Sequence, residues 1–562
     1  MNSWDPIALG ILWSRLTAIA DEAAATLTRT SFSTVVREAH DYALILLDPN
    51  GDAIAENSYG LVAFVTTMPV VMKNFLKQYP LESWRPGDIA LTNNPWFGLG
   101  HVLDLGMAAP VFYQNRLVAF VGSIAHVPDI GGVVWGADAR DVFEEGLNIP
   151  VCKLYESGRP NKLVFDFLRA NSRLADQLFG DLEARRAAGE VAGRRLVELL
   201  EAEGLEDLRE LAEALFTHSE MTMRKAIRCL PPGVYRGSAE MDGVETPLRL
   251  EAAITVEGDS IVVDYSGTSA QVDAGFNIAP AERFAMTVYP LKCALDPETP
   301  RTSGSYRPFV VTAPLGTLLN PRFPAATNAR QITGHFIHAA LFQALAPVIP
   351  NQIMAPCGSP HMQVVLSGRQ EDGRPFTALI FDHPGMGGRA GKDGLHSTHY
   401  PGNAGSTSIE VIENSAPLLV HERTLICDSG GPGRFRGGCG IQVTIENRSK
   451  TAVQASILGD RVDHPAPGIL GGLPGATASV EGPDGAPLPS KGRTVLRPGE
   501  VVRYREAGGG GYGPPSERER SLVDDDIRNG LVSADAALAV RLPSRQPPFL
   551  DAMSNVAESG EG

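Results

Sequence analysis

Residues 93–104 combine side chains that can bind a metal cation. Their sequence, NNPWFGLGHVLD, places His101 three residues before Asp104. The Asn-Pro pair and the nearby glycines predict a tight loop, in which the imidazole and the carboxylate can face one cation together. The spacing alone also fits a common alternative, a loop histidine beside a solvated aspartate.

A second histidine lies just after an apolar run. His126 belongs to the segment AHVPDIGG, and Asp41 precedes another apolar run. The end of a strand followed by Pro and two glycines is a frequent place for a metal ligand or a general base. With His101 and Asp104, these residues form a mixed imidazole and carboxylate set that suits Mn, Fe or Zn. Such a cation would supply a nucleophilic hydroxide near neutral pH and polarise a carbonyl or phosphoryl oxygen.

Two further carboxylates are candidates for catalytic roles. Asp129 follows His126 by three residues, and Glu145 lies in an acidic cluster farther along the chain. Glu145 can act as a general base, or it can be a solvated acid at the start of a helix.

Candidate substrate contacts lie in two Gly-rich segments. In DSGGPGRFRGGCG, Arg434 and Arg436 can hold a phosphorylated or carboxylate substrate; the alternative is a structural loop whose glycines supply unusual dihedral angles. In DHPGMGGRAGKDGLHSTHY, His383, His396 and His399 either line a cavity, form a second cation site or make structural hydrogen bonds. His396 is the candidate substrate contact among them.

Other features argue against further kinds of site. The glycines at 508–511 are not followed by Lys-Ser/Thr, so the chain is not expected to bind ATP itself. Cys357 is interpreted as a small buried apolar residue. The six cysteines form no C-x-x-C pair, which argues against a zinc ribbon or a disulfide framework and favours a cytoplasmic setting.

Length and charge narrow the class of protein. The chain has 562 residues with a formal net charge of −16, so it is expected to repel nucleic acid. The N-terminus lacks a basic region of the signal-peptide type, and no run approaches the roughly 18 apolar residues of a membrane span. We therefore expect a soluble, multi-domain protein.

The hydrophobic pattern predicts the elements that position these residues. Apolar residues at helical spacing predict a helix over 5–30, and 42–47 with 53–55 predict a hairpin with Asp41 at its mouth. Strands are also predicted at 90–92, 106–112 and 117–124, so both histidine motifs lie near strand ends. The later predictions are long helices over 163–215, strands over 231–312, a helix over 331–346, a strand-rich part over 353–515, one helix near Asp535 and a disordered tail, SNVAESGEG.

The predicted fold is mixed α and β (α+β) and multi-domain, with an N-terminal metal-binding domain, a helical segment and a large β-rich C-terminal part. The expected divisions are 1–160 as the α+β metal-site domain, 161–225 as the helical segment, 226–330 as a β-rich domain, 331–515 as a Gly-rich β-rich domain and 516–562 as a partly disordered extension.

Ten stretches of the chain resemble, in the same order, stretches of the hydantoinase B/oxoprolinase family. NNPWFGLGHVLD is similar to N-D-P-(aromatic)-x-G-x-x-H-x-x-D, and AHVPDIGG is similar to A-H-(H)-x-D-(I/V)-G-G. The others are EEGLNIP, NSRLADQLFGDLEA, VDYSGTSAQVDAGFN, LNPRFPAA, GGRAGKDG, IEVIENSAPL, DSGGPGRFRGGCG and GGGGYGPP. The chain departs from the family pattern at Asn94, Val127 and Ser303, none of which is a proposed ligand.

This resemblance implies a B-type subunit. Relatives include N-methylhydantoinase, ATP-dependent 5-oxoprolinase, caprolactamase and the acetone and acetophenone carboxylases. In the family, an A-type subunit or domain with an actin-like ATP site phosphorylates the substrate, and the B-type part completes the chemistry at a metal. Carried over to this chain, the resemblance implies a divalent transition metal between Asp41, His101, Asp104 and His126, and an ATP-using A-type partner in a hetero-oligomer such as two A-type and two B-type chains.

Three functions are compatible with this resemblance. The first is ATP-dependent hydrolysis of a cyclic amide of the hydantoin, 5-oxoproline or lactam type. The second is a subunit of an acetone- or acetophenone-type carboxylase, which would require bicarbonate and form a carbon–carbon bond. The third is a non-catalytic scaffold for the A-type chain, which would carry no stoichiometric metal.

Overall fold

The computed structural model describes residues 4–133 and 135–541. Its helices are α1 (Pro6–Thr30), α2 (Thr34–Arg37), α3 (Val62–Gln78), α4 (Val142–Glu145), α5 (Lys162–Asn171), α6 (Ala175–Glu203), α7 (Arg209–Ile227), α8 (Pro280–Leu295), α9 (Ser303–Tyr306), α10 (Arg330–Leu345), α11 (Ile409–Ser415), α12 (Arg520–Arg528) and α13 (Ala534–Arg541). The tail SNVAESGEG lies outside the described residues.

The strands form four sheets. They are β1 (Tyr42–Leu47), β2 (Ala53–Glu56), β3 (Ile89–Thr92), β4 (Asp104–Tyr113), β5 (Arg116–His126), β6 (Cys152–Glu156), β7 (Arg159–Pro160), β8 (Gly233–Met241), β9 (Leu248–Glu257), β10 (Ser260–Asp264), β11 (Phe309–Thr312), β12 (Gln363–Arg369), β13 (Pro375–Phe381), β14 (Leu418–Leu425), β15 (Ile441–Asn447), β16 (Val453–Leu458), β17 (Ser479–Glu481), β18 (Lys491–Leu496) and β19 (Val501–Arg505). The strand orders are β2-β1-β5-β4-β3-β6-β7, β11-β10-β9-β8, β13-β12-β16-β18 and β14-β15-β19-β17.

The seven-stranded N-terminal sheet is covered on both faces. Every residue of β1 is buried, because alternate side chains enter two different cores. Leu44 and Leu46 pack in the core that contains α1 and α6, whereas Ile45 and Leu47 pack in the core that contains α3. A strand with helices on both sides needs apolar residues at every position, which explains the uninterrupted YALILL sequence.

The second sheet packs on the helices α8 and α10. Strand β9 shows the alternating pattern of a half-buried strand, with Leu248, Leu250 and Ala252 facing this core. The prediction of strands over 231–312 is wrong at α8. There Pro280 opens a helix whose buried residues, Val288 and Leu291 among them, lie on several of its sides.

The third and fourth sheets face each other across a common core and form a sandwich. Beside it, segments 385–388, 437–440 and 508–511 pack backbone to backbone, and we call them the glycine layer. The amide of Gly509 donates to the Gly438 carbonyl at 3.0 Å, and the amide of Gly438 donates to the Met386 carbonyl at 2.7 Å. A Cβ at Gly508 would collide with the carbonyl oxygen of Ser429.

Close approach of the backbone, and not positive φ, is therefore the reason for the glycines in this layer. None of the glycines of the layer has a positive φ. The alternative interpretation of the glycines around Arg434 and Arg436 was that they supply unusual dihedral angles. They contribute instead by lacking a side chain, which lets neighbouring backbones approach closely.

Most of the predicted elements are confirmed. The opening helix is α1, the hairpin is the β1–β2 pair, and the helix predicted over 331–346 is α10. After residue 515, the part of the chain described up to residue 541 has two helices, α12 and α13, where one was predicted. The mixed α and β, multi-domain fold class is thus confirmed. Among the described helices, none is both long enough and apolar enough to cross a bilayer.

Candidate metal centre

Strand pairing brings the predicted metal ligands together. The first residue of β4, Asp104, is paired with the last residue of β5, His126. His101 reaches the same point because the Asp104 amide donates to its carbonyl at 3.0 Å, which closes a turn. Asp41 lies immediately before β1, where its carbonyl accepts from the His126 amide at 3.0 Å.

Three side-chain donor atoms converge in the interior of the protein. His101 Nε2 lies 3.0 Å from Asp104 Oδ1 and 3.2 Å from His126 Nδ1. The remaining separation, from His126 Nδ1 to Asp104 Oδ1, is 3.6 Å. Neighbouring ligands of a tetrahedral zinc-type site with bonds of about 2.1 Å lie roughly 3.4 Å apart. The three atoms therefore fit the inner ligands of a small divalent cation. We call them the first cluster.

Asp41 is the outer member of the predicted set. Its Oδ2 atom lies 4.0 Å from His126 Nδ1, and its side chain lines the pocket beside the first cluster. Burial raises the pKa of this carboxyl to about 6, against the opposing effect of His126. A carboxylate at this distance can complete a coordination shell through a small side-chain rotation.

Asn328 and Arg330 orient the inner ligands. Asn328 Oδ1 lies 2.9 Å from His101 Nδ1 and can accept a hydrogen bond from a proton on that nitrogen. The Nε2 atom of His101 then keeps a free electron pair. Arg330 Nη2 donates to Asp104 Oδ2 at 2.9 Å, so Oδ1 remains directed at the histidines. Arg330 Nε also donates to Glu282 at 3.2 Å, which fixes the guanidinium in turn.

The electrostatics also suit a cation. Burial, followed by the Arg330 charge, lowers the pKa of His101, and burial lowers the pKa of His126, so both rings are neutral near pH 7. Burial alone would raise the pKa of Asp104, but His101 and Arg330 hold it well below its usual range. Neutral imidazoles and an ionised carboxylate are the forms that bind metals.

An aromatic ring and a pocket complete the site. The Trp135 ring lies 4.4 Å from the His126 ring and 5.4 Å from the His101 ring, measured between centroids. Its Nε1 atom donates to the Asn328 carbonyl at 2.7 Å. The adjoining pocket has these residues among its lining: Asp41, Phe64, Trp135, Glu282, Met286, Arg330, His335, His361, Gln363, Phe381 and His399.

The two predicted catalytic carboxylates lie outside the first cluster. Glu145 is buried, and its Oε1 atom accepts from the Thr327 and Asn328 amides at 2.6 and 2.5 Å. It therefore holds the segment that carries Asn328. Asp129 accepts from the Arg173 side chain at 2.8 Å and from the Arg173 amide at 2.5 Å, and so ties two loops together.

The three predicted substrate contacts lie elsewhere, near the glycine layer. Arg436 is buried and bonded to Asp526 at 3.2 Å, and Arg434 is an exposed residue 3.6 Å from Glu517. His396 Nδ1 accepts from the Cys439 amide at 2.9 Å. None of the three is among the residues that line the pocket beside the first cluster.

Residues from outside the N-terminal sheet, which the sequence motifs did not indicate, also enter the site. Glu282, Asn328 and Arg330 reach it from α8 and from the start of α10. Asn328 lies just after LNPRFPAA, one of the stretches that resemble the family, and this position was the available signal. His335 and His361 line the pocket as well, whereas His399 had been named as a residue that can line a cavity.

Comparisons with known proteins agree with this architecture. A family model described as Hydantoinase B/oxoprolinase matches residues 5–515. The B-type subunit of a putative D-/L-hydantoinase from Pseudomonas sp. (strain NS671) is 32% identical over 564 residues, which cover 95% of this chain and 94% of that protein. The beta subunit of the caprolactamase of Pseudomonas jessenii is 30% identical, over 96% of both chains.

Solved structures show the same fold. The crystal structure of the ATP-dependent caprolactamase from Pseudomonas jessenii superposes with a TM-score of 0.87 at 28% identity, over 95% of this chain and 96% of that one. A nucleotide-free acetone carboxylase superposes with a TM-score of 0.85 at 20% identity, over 96% of this chain and 79% of that one. The resemblance found in the ten sequence stretches is confirmed, and the chain belongs to the Hydantoinase B/oxoprolinase family.

Proposed function

We propose that this chain is the metal-dependent B-type component of an ATP-dependent cyclic amidohydrolase, and that it hydrolyses a lactam or cyclic imide phosphorylated by an A-type partner. The observation that carries the proposal is the convergence of His101, Asp104 and His126 beside a pocket in a chain of this family. The names of two relatives, a hydantoinase and a caprolactamase, support the substrate class.

The donor set decides what the site can hold. Two imidazole nitrogens and one carboxylate oxygen converge, with Asp41 as a fourth donor at the pocket. A divalent cation of the Zn, Mn or Fe type bound there would polarise a substrate oxygen and supply a nucleophile near neutral pH. It would also offset negative charge, since three carboxyl groups, those of Asp41, Asp104 and Glu282, lie around the guanidinium of Arg330.

The residues around the donors have separate tasks. Arg330 and Asn328 fix the ligand atoms, and Glu145 fixes the segment that contains Asn328. Trp135 covers the two imidazole rings and keeps water from that side. Phe64 and Met286 give the pocket apolar walls, which suit the hydrocarbon part of a cyclic amide.

The partner's task follows from the chemistry of the amide. A ring amide is stabilised by resonance, and phosphorylation of its oxygen converts it into an imidate phosphate. Addition of water to the imidate carbon and cleavage of the carbon–nitrogen bond give an amine and an acyl phosphate. A second water then releases phosphate and leaves the carboxylate. We assign the phosphorylation to the A-type partner and the hydrolysis to this chain.

The proposal is tested with the chain purified together with its A-type partner. Caprolactam, hydantoin and 5-oxoproline are offered with ATP, and products are identified with and without bicarbonate. Ring-opened products without a need for bicarbonate are expected. A bicarbonate-dependent product with a new carbon–carbon bond would instead identify a carboxylase and overturn the proposal.

A matched pair of histidine variants tests the site. His101→Ala should remove the metal ion of the first cluster together with turnover, because Nε2 is one of three inner donors. His421→Ala is the control, since His421 is an exposed histidine paired with Glu446. Retention by His101→Ala of as much metal as the wild type, together with full turnover, would exclude the first cluster as the active site.

A further inference from the structure

Four histidines from separate parts of the chain meet on the far side of the pocket. His335 lies on α10, His361 lies two residues before β12, His383 lies two residues after β13, and His399 follows in the next loop. Strand pairing explains part of this meeting, because Gln363 of β12 is paired with the last residue of β13, so that His361 and His383 lie just beyond the paired ends. We call His335, His361 and His399 the histidine cluster.

The rings of the histidine cluster are close enough to share one ligand. One nitrogen from each of the three lies within 4.8 Å of the others. Between centroids, the His399 ring is 4.7 Å from the His361 ring and 5.0 Å from the His335 ring. His383 stacks on His399 at 4.8 Å with an interplanar angle of 2°, and so closes one side.

Four of the six ring nitrogens in the histidine cluster lack the hydrogen bonds that buried histidines normally make with the described residues. His335 is 2% exposed and His361 is 5% exposed. Among the described residues, no partner is found for His335 Nδ1, for either ring nitrogen of His361, or for His399 Nε2. Burying unpaired polar atoms costs free energy, and such groups in a native protein commonly mark a missing ligand or ion.

The rings are also in the right protonation state to bind a cation. Burial lowers the pKa of His335 to about 3, with a further contribution from His338. Burial also holds the pKa values of His361 and His399 well below their usual range. Each ring is therefore neutral at pH 7 and carries one nitrogen with a free electron pair.

We propose that the histidine cluster is a second metal site, which binds one borderline divalent cation such as Zn²⁺ or Co²⁺ through imidazole nitrogens of His335, His361 and His399. The group supplies three nitrogens and no carboxylate oxygen, a set that selects cations of this class over Mg²⁺ and Ca²⁺. The site goes beyond the proposed function, which requires the first cluster alone.

The three ligands are not equivalent. The Ala404 amide donates to His399 Nδ1 at 2.8 Å, so the proton of the neutral His399 ring lies on Nε2. Coordination through Nε2 requires this proton to move to Nδ1, and the hydrogen bond from Ala404 is then lost. His335 and His361 need no such change. We therefore expect His399 to contribute least to affinity.

The proposed second site and the first cluster adjoin the same pocket, and aromatic rings lie between them. Asp41 and Arg330 line the same pocket as the histidine cluster. Between them, the Trp135 ring contacts the Phe381 ring at 5.9 Å, and the Phe381 ring contacts the His361 ring at 5.6 Å. A substrate in the pocket would thus meet the first cluster at one end and a second Lewis acid at the other.

Metal stoichiometry of the full-length protein tests the second site. After loading with Zn²⁺ or Co²⁺ and removal of loose metal, the wild type should retain two ions per chain. His361→Gln should retain one, Asp104→Asn should retain one, and the double variant should retain none. The loss of metal affinity at the histidine cluster in His361→Gln should exceed the roughly 10- to 100-fold drop that substitutions outside the ligand shell produce.

A matched control separates a ligand from a structural histidine. His338 lies on α10 beside His335 and is fully buried. Its ring nitrogens also have no hydrogen-bond partner in the described part of the chain, but its ring contacts Phe342 and Tyr400. His338→Gln should therefore lose stability without losing a metal ion. Thermal unfolding of each variant shows whether it is folded. The visible spectrum of Co²⁺ bound to Asp104→Asn reports coordination by the histidine cluster, whose residues are unsubstituted in this variant.

Two results would overturn the second site. One is a wild-type chain that retains a single ion, removed by Asp104→Asn. The other is Asp104→Asn protein that retains no Co²⁺ although it is folded. Failure of the proposed function is distinct, because it would appear as full turnover by Asp104→Asn whatever the behaviour of His361→Gln.

Discussion

Asp104 and His126 are cross-strand partners, the first residue of β4 opposite the last residue of β5. Their register is fixed by the ten paired positions of these strands, so the separation of the two ligand atoms is a property of the sheet. Sites placed on paired strands are held more firmly than sites placed on loops. The first cluster is therefore expected to be preformed before a cation arrives.

Asp104→Asn should abolish turnover together with metal binding at the first cluster. The amide has no charge to offer a cation, and the Arg330 charge remains buried without one of its two carboxylate partners. Metal analysis and a turnover assay on the same sample provide the measurement. The control is Asp166→Asn, since Asp166 is an exposed aspartate paired with an exposed lysine. A loss of activity in both variants would point to a cause outside the site.

Asn328→Ala should lower metal affinity by roughly 10- to 100-fold, the usual effect of removing an outer partner of a ligating histidine. The substitution removes the oxygen that lies 2.9 Å from His101 Nδ1, so the ring is no longer held with Nε2 towards the cation. Asn328→Asp keeps an acceptor at this position and should retain most of the affinity. Competition with a chelator of known affinity measures both. Equal affinities for the wild type and Asn328→Ala would contradict the role given to Asn328.

Glu145→Gln should flatten the dependence of stability on pH. Burial raises the pKa of Glu145 from 4.5 to about 8, although the Asn328 and Thr327 amides oppose the shift. The folded protein thus keeps a proton that the unfolded chain releases above pH 4.5, so this residue's contribution to stability falls as pH rises from there towards about 8. The slope is at most about 1.4 kcal/mol per pH unit for one group.

Glutamine cannot ionise, yet its oxygen can accept from the same two amides. Unfolding midpoints of the wild type and Glu145→Gln are measured at several pH values between these limits. The two midpoints should converge at the acidic end, and that of Glu145→Gln should be the higher one at the basic end. Parallel curves for the two proteins would mean that Glu145 is ionised in the folded protein.

Gly508→Ala should prevent folding or destabilise the protein by about 4 kcal/mol or more, a size reserved for severe packing conflicts. The added methyl group would collide with the Ser429 carbonyl oxygen, which is backbone and has little freedom to move. The control is Gly189→Ala on α6, where the new methyl group meets nothing within 4 Å. That change should stabilise the protein by about 0.5–1 kcal/mol, because alanine favours the helix. Thermal unfolding compares the two.

The sequence was sufficient to find the first cluster because its members lie at the ends of apolar strands. His101, Asp104 and His126 follow patterns of strand and turn that are readable over short windows. Their residue types grouped them with Asp41, and the family resemblance implied the same four residues as metal ligands. Local patterns also predicted α1, α10 and the β1–β2 hairpin correctly. These features depend on interactions between residues that are close in sequence.

The rest of the site depends on contacts that no short window contains. Arg330 bonds Asp104 across 226 positions, and Asn328 bonds His101 across 227. His335 and His361 belong to different units of the fold, and α10 alone gave no sign that His335 faces other histidines. The helix α8 was missed for a related reason, since its residues are apolar on several sides and the helical period is weakened.

The glycine layer has a consequence for how the pocket can change. Hydrogen bonds from this layer anchor the segment from His383 to His399 near both of its ends. The Gly438 amide donates to the Met386 carbonyl, and the Cys439 amide donates to His396 Nδ1. The path of that segment is therefore largely independent of the side chains that line the pocket. We therefore expect an exchange of Phe64, another residue that lines the pocket, to leave the path of this segment unchanged. Side-chain exchanges of this kind would alter the size of the pocket while the backbone between His383 and His399 keeps its path.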